Sequence, residues 1–94
     1  MNVDPELENL RRDIDEVDQR ILDLVARRVS IVCEVAELKR QRGMAVYDPD
    51  RERDMLRRLS ERSEAPLDAH TVQRVFERLI DECRRIEQLH MTSR

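Results

Sequence analysis

The feature that most constrains this chain is an apolar series too long for a chain of this size to bury by itself. Leu7, Leu10, Ile14, Val17, Ile21, Leu24, Ile31, Val35 and Leu38 recur at alternating steps of three and four, the spacing of a coiled-coil seam. A helix over residues 5–41 would be roughly 55 Å long at 1.5 Å per residue. A compact globule of this chain length has a radius of gyration of about 12 Å, hence a diameter near 32 Å. The stripe stays covered along its whole length only if a second chain lies beside it. An interlocked homodimer is therefore expected.

The remaining punctuation divides the chain into three helices. Asp4-Pro5 and Asp48-Pro49 each pair a side chain that accepts from orphan amides with a residue pre-set for the first helical turn. Gly43 is placed to end the first helix. Ala65-Pro66-Leu67 breaks the second, and Asp68 is placed to cap the third. The expectation is a single domain over 1–94 with helices at 5–41, 49–64 and 68–90. Met55, Leu56 and Leu59 form the apolar side of the second helix. Val72, Val75, Phe76, Leu79, Ile80, Cys83 and Ile86 form that of the third.

Composition supports this architecture and narrows the functions. One Gly and three Pro in 94 residues, with 41% charged residues, suit long helices with few turns, so the fold class is all-α. A net charge of −3, with basic and acidic residues interspersed, makes a poor binder of phosphate backbones, and nucleic acid is not an expected partner. No apolar run approaches the ~18 residues that a membrane span needs. Cys33 and Cys83 lack metal-ligand spacing and read as reduced thiols in a cytoplasm, Cys33 on the outer side of its helix. His70 and His90 have no ligand-spaced companions, so no metal is expected.

Several charged residues stand where packing alone would not put them. The heptad series that runs through Ile14 and Ile21 reaches Arg28 before Val35. A guanidinium in a seam must reach water, pair with a carboxylate or face an anion. Arg11 and Lys39 flank the same stripe. Lys39 lies about 16 Å of helical rise from Arg28, near enough for two long side chains to meet one small ligand. Arg11 is about 25 Å from Arg28 along the rod, so it joins such a site only from an antiparallel partner chain. Lys39 is also the one lysine among 18 basic residues, and a compact ammonium can approach a single oxygen where a guanidinium prefers a planar partner. Asp48, Arg51 and Glu52 share a helical face. Glu87 follows Phe76, Ile80 and Cys83 onto an apolar face, where it is either protonated or paired with Arg28 or Lys39.

The ordered motifs Leu10-Arg11-x-x-Ile14-Asp15-x-x-Asp18-x-x-Ile21-Leu22-x-Leu24, Arg27-Arg28, Lys39 and Asp48-x-x-Arg51-Glu52-Arg53 resemble those of the all-helical chorismate mutases. The resemblance covers Leu7 to about Gln88. It implies an intertwined dimer of three-helix subunits (long, short, medium) that rearranges chorismate to prephenate without a cofactor. By the same resemblance Arg28, and Arg11 donated by the partner chain, hold the two substrate carboxylates, and Arg51 contributes to that wall. Lys39 meets the ether oxygen and a carboxylate, and Glu52, with Asp48 beside it, takes the ring hydroxyl.

Two positions depart from the commonest bacterial pattern. Glu87 stands where a Gln usually donates to the ether oxygen, with Gln88 as its rival if the register shifts by one residue. A carboxylate would repel that oxygen, so Glu87 must carry a proton to donate, and activity should fall as pH rises. Cys83 stands where a hydroxyl or amide often binds a carboxylate, although a thiol is a weak donor. On the same fold, an isochorismate-pyruvate lyase or an aminodeoxychorismate mutase would keep the Arg and Lys groups. A non-enzymatic helical dimerisation module would explain the heptads but not Arg28, Lys39 and Glu87 together.

Overall fold

The computed structural model describes residues 4–92. The ends of the expected 1–94 domain, residues 1–3 and 93–94, lie outside the described residues. Three helices follow in order: α1 (Pro5–Arg42), α2 (Pro49–Glu61) and α3 (Ala69–Thr92). Among the described residues there is no strand, only an isolated bridge between Glu64 and Leu67. The chain divides into two compact units, Met1–Ile31 and Val32–Arg94, with α1 running through both.

Each helix begins on an aspartate, as the sequence signals require. Asp4 Oδ1 accepts from the amides of Glu6 at 3.0 Å and Leu7 at 3.3 Å. Asp48 Oδ1 accepts from Arg51 N at 3.2 Å, and Asp68 Oδ1 from Thr71 N at 2.7 Å. These bonds satisfy donors that have no partner within the helix. That from Thr71 also holds the Asp68 carboxyl below the usual carboxylate range.

The end of α1 is a Schellman turn. Gly43 adopts φ +64°, its amide donates to Arg40 O at 3.4 Å, and Met44 N donates to Lys39 O at 2.8 Å. Glycine occupies that left-handed position without the cost of a Cβ. The second helix stops at Glu61, three residues before the expected 64. There the Arg62 amide turns inward to Leu59 O and Ser60 O, Ser63 N bonds Ser60 O, and Leu67 N closes a turn onto Glu64 O at 2.8 Å. Because the residue before a proline disfavours helical geometry, the chain leaves the helix ahead of Ala65-Pro66. The third helix runs two residues past the expected 90, and Thr92 Oγ1 bonds Gln88 O at 3.0 Å.

In the Met1–Ile31 unit the described residues form one helix whose apolar stripe is exposed, including Leu10, Ile14, Ile21 and Leu24. The Val32–Arg94 unit has a core of its own. Ala36, Val72, Ile80 and Cys83 are buried, and α2 packs on α3. Val75, expected in that core, is exposed, while Phe76, Leu79 and Ile86 are half-buried. Cys33, expected on the outer side of α1, is half-buried instead. It precedes the fully buried Ala36 by three residues and so shares its face.

Candidate active site

The Schellman turn carries the chain back along the last turn of α1, and this return fixes the one lysine. Lys39 Nζ donates to the carbonyl of Val46 at 2.9 Å and lies 3.1 Å from Glu87 Oε2. The two side chains are 17% and 10% exposed, so the pair is screened from bulk water. Oε2 is close enough for an ion pair, although the contact does not have hydrogen-bond geometry. Of the two states expected for Glu87, the structure shows the one paired with Lys39. Its rival, Gln88, is exposed.

This pairing leaves chemical capacity unused. An ammonium has three donors, of which Val46 takes one and the carboxylate faces another. Its position in the last turn of α1 also suits a cation, since the helix dipole is negative there. Glu87 contributes a buried oxygen that faces this ammonium and keeps acceptor capacity for a ligand or a proton.

A second pair forms between α2 and α3. Glu52 stands in the first turn of α2, where the dipole favours a carboxylate, and its Oε1 accepts from Arg84 Nη2 on α3. The Arg84 guanidinium lies over the Tyr47 ring, 4.8 Å from its centroid, a geometry that stabilises a cation on an aromatic face. Its Nη2 is also 3.6 Å from Asp81 Oδ1, and its Nε is buried with no hydrogen-bond partner. Sequence reasoning missed Arg84 altogether. Its only signal was a basic residue four positions after Ile80 and three before Glu87, on a helix rich in arginine.

The other expected site residues divide between the two units. Asp48 is exposed and serves as the cap of α2, with one oxygen on the Arg51 amide, while the Arg51 side chain is exposed. Cys83 is buried one turn before Glu87, so it is a core residue in this chain. Arg11 is exposed and paired with Glu8 at 2.9 Å. Arg28 is half-buried. Both belong to the Met1–Ile31 unit, whereas Lys39, Glu52, Arg84 and Glu87 are assembled within the other. An open groove of about 590 Å³ between α2 and α3 is lined by Arg53, Leu56, Arg57, Ser60, Glu61, Ala69 and Gln73. None of the expected site residues lines it, and Arg57 there is held by Asp54 at 2.7 Å and Glu61 at 3.1 Å.

Fold and site together define an all-helical protein with preorganised cations and carboxylates set among apolar residues. The chain belongs to the chorismate mutase type II family, whose model matches residues 10–88. It is 34% identical over 88 residues to a chorismate mutase of Methanocaldococcus jannaschii, covering 90% of this chain and 87% of that one. A T-protein of Enterobacter agglomerans is 48% identical over 60 residues, which cover 64% of this chain but only 16% of that protein. Among solved structures, the chorismate mutase of Helicobacter pylori in complex with prephenate superposes with a TM-score of 0.88 at 28% identity, covering 97% of this chain and 99% of that one.

Proposed function

We propose that this chain rearranges chorismate to prephenate as a homodimer, with Arg11 of each protomer completing the site of the other. The observation that carries this reading is the screened Lys39, anchored by Val46 O and facing Glu87 with a donor to spare. The family membership and the prephenate complex of the Helicobacter pylori relative support it. In this reaction a C–O bond breaks as a C–C bond forms, with neither nucleophile nor proton transfer, and the chemistry asks for no cofactor. Two tasks remain for the protein. Arg11, Arg28 and Arg51 fold the enolpyruvyl arm over the ring by holding its carboxylates, an entropic contribution. Lys39 meets the negative charge that grows on the ether oxygen.

Glu87 supplies the second donor to that oxygen, and to donate it has to carry a proton as Lys39 turns toward substrate. Glu52, with Asp48 beside it, receives the ring hydroxyl. Cys83 lines the carboxylate end only through its bulk, because a buried thiol is a weak donor. The exposed stripe of α1 is the surface that the second protomer covers, which is the reading the heptad length requires. Two free thiols suit a reducing, cytoplasmic setting, and no described helix is long and apolar enough to cross a membrane.

The test is the loss of chorismate absorbance with purified protein across a pH series, with products identified by chromatography. Prephenate is the expected product, with rates falling as pH rises and a Glu87→Gln variant flattening the profile. A wild-type profile already flat would remove Glu87 from the donor role. Chorismate left untouched at every pH would overturn the mutase reading.

A further inference from the structure

Arg84 bonds a carboxylate of the candidate site yet has no role in the reading above, and its surroundings single it out. It lies 32 residues from Glu52 in sequence yet bonds Oε1 of that carboxylate. The two side chains are 30% and 21% exposed. A ring beneath the guanidinium fixes it further, with Tyr47 at 4.8 Å. Its remaining acidic neighbour, Asp81 at 3.6 Å, has a side chain 61% exposed, so water screens that contact more strongly than the one to Glu52.

We propose that Arg84 is a specificity-determining residue, which sets Glu52 to accept a neutral ring hydroxyl and to reject a ring ammonium. The inference rests on the function proposed above, in which Glu52 faces the ring substituent. An ionised carboxylate has two oxygens and about four acceptor positions. Arg84 occupies Oε1 and leaves Oε2 for a hydroxyl proton, so a single orientation of Glu52 is selected. Charge makes the discrimination. Glu52 alone would attract a cationic amine at least as strongly as it accepts from an alcohol. Paired with a guanidinium, the carboxylate of Glu52 presents almost no net charge, the pull of the exposed Asp48 is screened by water, and an ammonium arriving beside Glu52 meets Arg84 as a like charge. A hydroxyl is indifferent to that net charge and needs only the acceptor. At an effective dielectric of ~20, a like charge roughly 7 Å away suffices for a factor of ten or more in affinity. Arg84 thus disfavours the amino analogue of chorismate while the same carboxylate still serves the hydroxyl.

The experiment compares wild type, Arg84→Gln and Arg84→Lys, each checked for helix content and melting temperature. Turnover is measured on chorismate, and the dissociation constant is measured for chorismate's 4-amino-4-deoxy analogue. Wild type is expected to prefer the hydroxyl substrate. In Arg84→Gln the KM for chorismate should rise several-fold with a smaller change in kcat, while the amino analogue should bind about tenfold more tightly. Arg84→Lys keeps the charge and should restore most of the selectivity. An active wild type whose selectivity ratio is the same in all three proteins overturns this inference alone, since a merely structural role would weaken both ligands together. A folded wild type without turnover on chorismate overturns the proposed function, and this inference with it.

Discussion

The two units of this chain solve the problem of burial in opposite ways. Through Ile31 the described chain is a single helix with large apolar side chains in solvent, Leu10 at 60% and Leu24 at 66% exposure. Its identified ion pair, Arg11 with Glu8, is local. From Val32 onward the chain closes on itself and hides Ala36, Val72, Ile80 and Cys83. There Lys39 reaches Glu87, Glu52 reaches Arg84, and Glu37 lies 3.9 Å from His90 across the sequence. Periodicity without local burial marks a surface for another chain, whereas charges brought together over long separations mark chemistry. In the function proposed above, one unit recruits a second chain and the other arranges the site.

The comparison breaks most completely at Lys39. Lys39→Ala should lower kcat by a few hundredfold, in line with roughly 3–4 kcal/mol for a lost preorganised donor, with a lower melting temperature because Glu87 loses its partner but no change in oligomeric state. A variant that retained near wild-type kcat would show that the arranged unit does not hold the reaction. The recruiting unit is tested by Ile14→Glu, which puts a charge in the stripe at a cost of several kcal/mol if a partner buries it. Sedimentation should then show monomers, and turnover should fall about a hundredfold or more as the donated Arg11 is lost. A wild-type chain that sediments as a monomer would remove the contrast.

Smaller effects sharpen the same boundary. At Gly43, where φ is +64° and an added Cβ would meet nothing within 4 Å, Gly43→Ala should cost only the left-handed backbone penalty of about 1–2 kcal/mol. The Val46 carbonyl would loosen with it, and kcat should fall less than in Lys39→Ala. A rise in melting temperature would contradict the turn's role. Smallest is the cap of α3. Asp68 is held below its usual range by the Thr71 amide, so its contribution is complete above the unfolded value near 3.9. It is lost as pH falls through the lower folded value. Asp68→Asn keeps a capping side chain but not its charge, so it should lower stability slightly near neutrality and converge with wild type below about pH 4, making acid unfolding less steep.

What could be read from residue order alone follows a physical line. Helix starts were legible because Asp-Pro and Asp68 act within three residues of themselves, and the α1 terminus because a glycine takes the left-handed position. Lys39 and Glu87 stood out as a lone lysine and a carboxyl on an apolar face, and their pairing was one of the alternatives left open. By contrast, the end of α2 carries no Gly or Pro at Arg62, and its boundary depends on how the 64–67 turn closes. The contact between Glu52 and Arg84 was invisible for a similar reason. It depends on the path of the connector between the helices, which no periodicity encodes, and one arginine among many offers no contrast. Cys33 was misplaced because a heptad frame built for the seam ignored the second face through which α1 meets its own unit.

The solitary lysine has a practical consequence for anyone labelling this protein. Every other basic side chain is Arg or His, so the chain's side-chain amine chemistry is confined to one screened nitrogen held between Val46 O and Glu87. A methyl group placed there by reductive alkylation would be a single spectroscopic reporter, free of overlap from other lysines, and its rate of attachment would read directly how often that nitrogen is released from its two neighbours.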